Sequence, residues 1–153
     1  MKRTRSRILI DTNIPVYAAG RQHAVKAPAI RVLELAARNA TTFFTDAEVL
    51  QEMLHRYIAL KIWHESRSRF SSFAALMSGR IEPVMADDVE IAADLADQYV
   101  NLSARDLIHV AIMKRVGCSQ IVTADAGFDR IHGVQRLDPM LVEEWADTVT
   151  ESP

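Results

Sequence analysis

The residues of this chain best suited to chemistry are acids placed where an apolar run ends or a helix begins. Asp11 closes the run Ile8-Leu9-Ile10, Asp125 follows Ile121-Val122-Thr123-Ala124, Asp106 stands early in a helical stretch opened by Ser103, and Glu52 lies within the helical run after Asp46. In a parallel sheet flanked by helices, chemistry gathers beyond the carboxyl ends of the strands, where acids distant in sequence can meet. Ionised carboxylates packed together repel one another unless a hard cation such as magnesium neutralises them, so the set points to a divalent ion.

The elements that must position these acids are legible as an alternation of short apolar runs and longer helical periods, with no repeat or low-complexity block. Ile8 to Ile10 reads as a buried strand, Pro15 suits a brief helix, and residues 28–38 form a second helix with Ile30, Leu33 and Leu35 among its apolar positions. A strand is expected at 41–44, then a helix capped by Thr45 or Asp46 and running to about Leu60, with Ala47, Leu50, Leu54, Tyr57 and Ile58 on its core side. Further helices are expected at 62–77, 87–100, 103–116 and 139–149, the third of them stopping at Gly117, with strands at 82–85, 120–123 and 134–137. Helices between short strands favour a parallel sheet with right-handed crossovers, an α/β fold forming one domain over residues 1–153.

Composition narrows the class of function. The chain has 153 residues, 49% of them hydrophobic and 25% charged, enough for one full core. No apolar stretch approaches the roughly 20 residues that cross a bilayer, and the basic start leads into only Ile8, Leu9 and Ile10, too short for a secretory leader. The single cysteine, Cys118, has no Cys or His neighbour at zinc spacing, which suits a buried thiol in a cytoplasmic protein. A net charge of -2 excludes coating of nucleic acid by bulk electrostatics, so local charge matters more. Arg56, Lys61, Arg67 and Arg69, with His55 and His64, form a mostly basic stretch, and Lys2, Arg3, Arg5 and Arg7 another; either suits phosphate contacts or a solvated surface. Past Arg136 there are acids and no Lys or Arg, an end expected to face away from nucleic acid.

Each acid also has a purely structural reading. Asp11 and Asp125 suit helix caps, Ser103-Ala104-Arg105-Asp106 has the spacing of a capping box, and Glu52 falls opposite the expected core stripe with Glu48 and His55. Other enzyme classes fit less well. A haloacid-dehalogenase-type phosphatase needs an acid two residues after the first, where this chain has Asn13, and no glycine-rich phosphate loop is present. Neither Ser103 nor Cys118 has the setting of a covalent nucleophile, which leaves hydrolysis by water.

Ile8-Leu9-Ile10-Asp11-Thr12-Asn13, the run from Thr45 to Tyr57, and Arg105-Asp106-Leu107-Ile108-His109-Val110-Ala111 leading to Ile121-Val122-Thr123-Ala124-Asp125-Ala126-Gly127-Phe128-Asp129 together resemble the PIN-domain ribonucleases. Within that group the chain resembles the VapC-type toxins of bacterial toxin–antitoxin pairs, in order and spacing over nearly its whole length. The resemblance implies a three-layer PIN-like fold and a metal-dependent endoribonuclease in which Asp11, Glu52, Asp106 and Asp125 surround one or two Mg2+ or Mn2+ ions. Asp129 is a candidate fifth acid, and the family pattern favours Glu52 over Glu48. It also implies an RNA substrate, a cognate antitoxin that lays a peptide along the groove with a basic side chain near the acids, and a homodimer. Thr12, Asn13 and Thr123 are expected to orient the carboxylates or to make ordinary turn bonds. His109, one turn from Asp106, either touches substrate, orients the acid or is a satisfied core histidine. A stand-alone RNA-processing nuclease and a PIN-like binding module without catalysis are the alternatives.

Overall fold

A short, wholly apolar strand organises the molecule. Ile8, Leu9 and Ile10 are all fully buried, with Ile8 and Ile10 facing one core and Leu9 the other, as the twofold period of a strand requires. The computed structural model describes residues 6–149; the basic residues Lys2, Arg3 and Arg5 lie outside that range.

The strands β1 (Ile8–Ile10), β2 (Phe43–Asp46), β3 (Ile81–Glu82), β4 (Gln120–Val122) and β5 (Gln135–Leu137) form one parallel sheet in the order β3-β2-β1-β4-β5. The helices are α1 (Asn13–Ala19), α2 (Lys26–Arg38), α3 (Ala47–Ala59), α4 (Trp63–Leu76), α5 (Ala86–Ala96), α6 (Ala104–Val116) and α7 (Val142–Val149). Residues of α1, α2, α3, α4 and α7 pack with Ile8 and Ile10, whereas α5 and α6 pack with Leu9, Phe44 and Ile121 on the opposite face. The result is the expected three-layer α/β arrangement.

From β1 the chain winds outward through β2 and β3, then returns to add β4 and β5 on the other side of β1. Neighbouring connections therefore leave β1 and β4 in opposite directions, and a crevice opens at the carboxyl ends of these strands. Asp11 follows β1, and Thr123 follows β4.

Several sequence expectations shift in detail. The second strand is Phe43–Asp46, because Thr45 and Asp46, although polar, continue the ladder and are fully buried. The core stripe of α3 is Val49, Met53 and Tyr57; Ile58 is exposed, and Leu50 and Leu54 lie at the edge. In α2 the buried residues are Ala29, Val32, Leu35 and Ala36, while Ile30 is exposed. The fifth helix ends at Ala96, and the expected terminal helix divides into a 3-10 turn at Pro139–Leu141 and α7. The local signals around α6 hold: the Ser103 hydroxyl accepts from Asp106 N, and Gly117 ends the helix at φ 71°, in the left-handed region where glycine is favoured.

Candidate active site

Asp11 is nearly buried, 5% exposed, and its carboxylate is held from three directions. Thr12 N donates to Oδ1 at 2.7 Å, the Thr123 hydroxyl donates to Oδ2 at 2.7 Å, and Asn13 Nδ2 approaches Oδ2 at 3.4 Å. The Thr123 oxygen also accepts from Asn13 Nδ2 at 2.8 Å and from Asp125 N at 3.0 Å, and Ala124 N donates to Asn13 Oδ1 at 3.1 Å. One hydroxyl thus uses its donor and both lone pairs to tie the end of β1 to the end of β4. Thr123→Val, which keeps the shape and removes that hydroxyl, is expected to destabilise the protein by about 1–3 kcal/mol by leaving buried partners unpaired. Thr123→Ser should recover most of it in denaturant unfolding. Equal stability of Thr123→Val and wild type would show that this network holds nothing in place.

The Thr12 hydroxyl donates to Glu52 Oε2 at 2.7 Å, so Thr12 joins Asp11 and Glu52 through its backbone and its side chain. This separates Glu52 from Glu48. Glu52 is bonded toward Asp11, and Arg105 lies 3.9 Å from its other oxygen. Glu48, one turn earlier, is half-buried, and that burial raises its carboxyl pKa despite the nearby His109.

Behind the acids lies a group that the sequence reading treated only as a cap. Asp46, fully buried at the end of β2, accepts from Val49 N at 2.9 Å with Oδ1, and its Oδ2 lies 2.7 Å from His109 Nδ1. A carboxylate can only accept, so Nδ1 carries the proton of that bond. His109 is fully buried, and its Nε2 has no hydrogen-bond partner; Asp11 Oδ1 is 3.6 Å away, beyond hydrogen-bond reach. His109 is therefore a core histidine satisfied on one side only. Burial pulls its pKa down, but Asp46, then Asp11 and Glu52, outweigh that and hold it up at about 9.

Asp106 and Asp125 interact through their charges, and neither belongs to the close group of ligand atoms formed by Asp11, Glu52 and His109. Burial raises the Asp106 carboxyl, hydrogen bonds from Ser103 oppose that, and the charge of Asp125 adds to it. Asp125 is exposed and caps the 3-10 turn Ala126–Arg130 by accepting from Gly127 N at 2.8 Å. For Asp11, burial raises the pKa, His109, Thr123 and Thr12 pull it back, and Glu52 pushes it up again. Among the described residues, ligand atoms of Asp11, Glu52 and His109 lie within 4.8 Å of one another. A crowded pocket of acids with a buried, unpartnered ring nitrogen fits a divalent cation.

The remaining expected residues lie elsewhere. Asp129 is exposed and pairs with Arg136 at 2.9 and 3.2 Å, which holds its carboxyl below the usual range; Arg136 also donates to the Thr123 carbonyl at 3.2 Å. Arg56 lies one turn beyond Glu52 on α3, Lys61 follows that helix with φ 59°, Arg67 lies over the Trp63 ring, and Arg69 borders a groove between α1, α2 and α4. Arg7, from a stretch that suited either phosphate contacts or a solvated surface, pairs with Glu82 at 3.2 Å and covers the Phe44 ring. Cys118 is buried with its thiol bonded to the Arg7 and Gln120 carbonyls.

Comparison with known proteins shows the family. The PIN domain family model matches residues 8–134. Ribonuclease VapC13 of Mycobacterium tuberculosis is 39% identical over 130 residues, 85% of this chain and 98% of its own length. Ribonuclease VapC23 of the same species is 36% identical over 118 residues, 77% of this chain and 92% of its own. Among solved structures, VapBC2 from Rickettsia felis bound to a promoter DNA fragment contains a chain that superposes with a TM-score of 0.67 at 21% identity, covering 86% of this chain and 98% of that one. A parallel sheet carrying acids at its carboxyl edge and these relatives lead to one assignment: the chain belongs to the PIN-domain family, among the VapC ribonucleases.

Proposed function

We propose that this protein is a divalent-metal-dependent endoribonuclease and the toxin of a toxin–antitoxin pair. The observation that carries the reading is the pocket in which Thr12 and Thr123 lock Asp11, with Glu52 and His109, at the carboxyl edge of the sheet. Asp11, Glu52, Asp106 and Asp125 hold Mg2+ or Mn2+ there. When bound, such an ion supplies positive charge to the scissile phosphate and acidifies water for hydrolysis. Thr12, Asn13 and Thr123 orient the carboxylates so that little rearrangement accompanies cation binding. His109 and its partner Asp46 support Asp11 from below. Arg105, half-exposed beside Glu52, offers a guanidinium to an RNA phosphate, and Arg56, Lys61, Arg67 and Arg69 extend that contact along the strand. Asp129, engaged by Arg136, serves the fold beside the site rather than the cation.

The antitoxin occupies the groove of about 500 Å³ between α1, α2 and α4, where Ala18, Ile30, Leu33, Phe73 and Leu76 suit the apolar face of a helix. A basic side chain of that partner then reaches the acids, and two copies of the chain form the acting unit, as the family resemblance implies. None of the described helices is long and apolar enough to cross a membrane.

Incubation of the purified protein with cellular RNA tests the activity. New 5′ ends should appear at discrete positions with wild type and be lost with Asp106→Asn. Identical end patterns from both proteins would contradict the assignment of the acids.

A further inference from the structure

We propose that His109 is itself a metal ligand, binding the cation through Nε2 together with Asp11 and Glu52, in a mixed nitrogen–oxygen site that favours Mn2+ over Mg2+. This deepens the metal-dependent reading above and rests on it.

The geometry is that of a ligand held ready. The Asp46 carboxylate fixes the ring through Nδ1, so the lone pair of the neutral ring falls on Nε2. Nε2 is fully buried, makes no hydrogen bond, and faces Asp11 Oδ1 at 3.6 Å. Buried polar atoms in folded proteins almost always find a partner, and the acids around Nε2 make a cation the partner that suits it. The ligand atoms of Asp11, Glu52 and His109 all lie within 4.8 Å of one another, close enough for one ion to bridge them. Metal-binding histidines typically give their other ring nitrogen to a carboxylate, which orients the ring and increases its basicity; Asp46 does this here. The same residue caps α3, so the ring is referenced to a helix terminus and to the end of β2 at once.

Ligation forms a metal–Nε2 bond and sends the Nε2 proton to solvent, as histidine ligation does generally. Magnesium favours oxygen donors and gives up its waters reluctantly, whereas imidazole suits transition ions. A nitrogen in the set therefore shifts preference away from Mg2+ and toward Mn2+. Asp46→Asn keeps a capping side chain but weakens the orientation of His109, and should cost about 10–100-fold in Mn2+ affinity.

The test is pulsed electron paramagnetic resonance of Mn2+ added to full-length protein carrying 15N-labelled histidine, which needs no substitution to report a histidine nitrogen on the metal. Labelled wild type should show 15N coupling. The coupling should persist in His55→Gln, an exposed side chain one turn from Glu52, and vanish in His109→Gln. Bound Mn2+ without histidine coupling overturns the proposal and leaves the metal reading standing, as does coupling that His55→Gln abolishes. Failure of Mn2+ to bind at all overturns both.

Discussion

Asp11→Asn is expected to lower RNA cleavage by about a thousandfold, the scale of removing several kcal/mol of metal-assisted stabilisation. The same variant carries a stability signature that separates a metal site from a structural cap. Asp11 is nearly buried, and burial is the largest influence raising its pKa. A carboxyl with a raised folded pKa lends stability that is present below its unfolded value and lost as pH rises through the folded one. At neutral pH, without cation, its charge therefore works against the fold. Asparagine removes that charge but keeps only one acceptor oxygen, so of the bonds from Thr12 N and the Thr123 hydroxyl one loses its acceptor, at a cost of about 1 kcal/mol. Cation binding reverses the balance in wild type. An ion at about a hundred times its dissociation constant stabilises by roughly 2.7 kcal/mol, a rise of about 5–10 °C in melting temperature for a chain of this size. Asp11→Asn should show little of that rise. An equal rise in both proteins would mean that Asp11 caps a turn and binds no metal.

Glu52→Gln should remove most activity, by about a hundredfold or more, whereas Glu48→Gln should stay within a few-fold of wild type. The difference follows from Thr12, whose hydroxyl aims Glu52 at Asp11 at 2.7 Å. Glu48 is half-buried and senses His109, so it is not the plain solvent-facing acid that its sequence position implies, but it makes no bond toward Asp11 among the contacts of the site. Cleavage rates of the purified variants decide the matter. Equal loss in both would place Glu48 in the site as well.

The fold was most legible where local chemistry decides it. Ile8-Leu9-Ile10 is apolar on both faces, as a central parallel strand must be, and α6 has its Ser103 cap and Gly117 stop within a few residues of the expected ends. The face of α3 was less legible because Leu50, Leu54 and Ile58 flank Val49 and Met53 closely enough to suggest a neighbouring stripe, and only packing against β1 and the surrounding helices selects between them. Asp46 was hidden for a related reason. A polar pair ending a strand reads as a turn and a cap, and nothing local says that the second oxygen of the cap meets a histidine 63 positions later. The topological rule offered the available signal: an acid at the carboxyl end of β2 lies beside the acid that follows β1, since these strands are neighbours. The hub role of Thr123 likewise depends on β1 and β4 being adjacent, which the alternation of elements does not specify.

Cleavage of RNA by the purified protein, measured with Mg2+ or Mn2+ present, after addition of a chelator, and after excess metal is restored, tests the central claim most directly. Cleavage should proceed with either ion, stop with chelator and return with the metal. A rate unchanged in chelator would contradict a site built from Asp11, Glu52, Asp106 and Asp125 to work through a divalent cation.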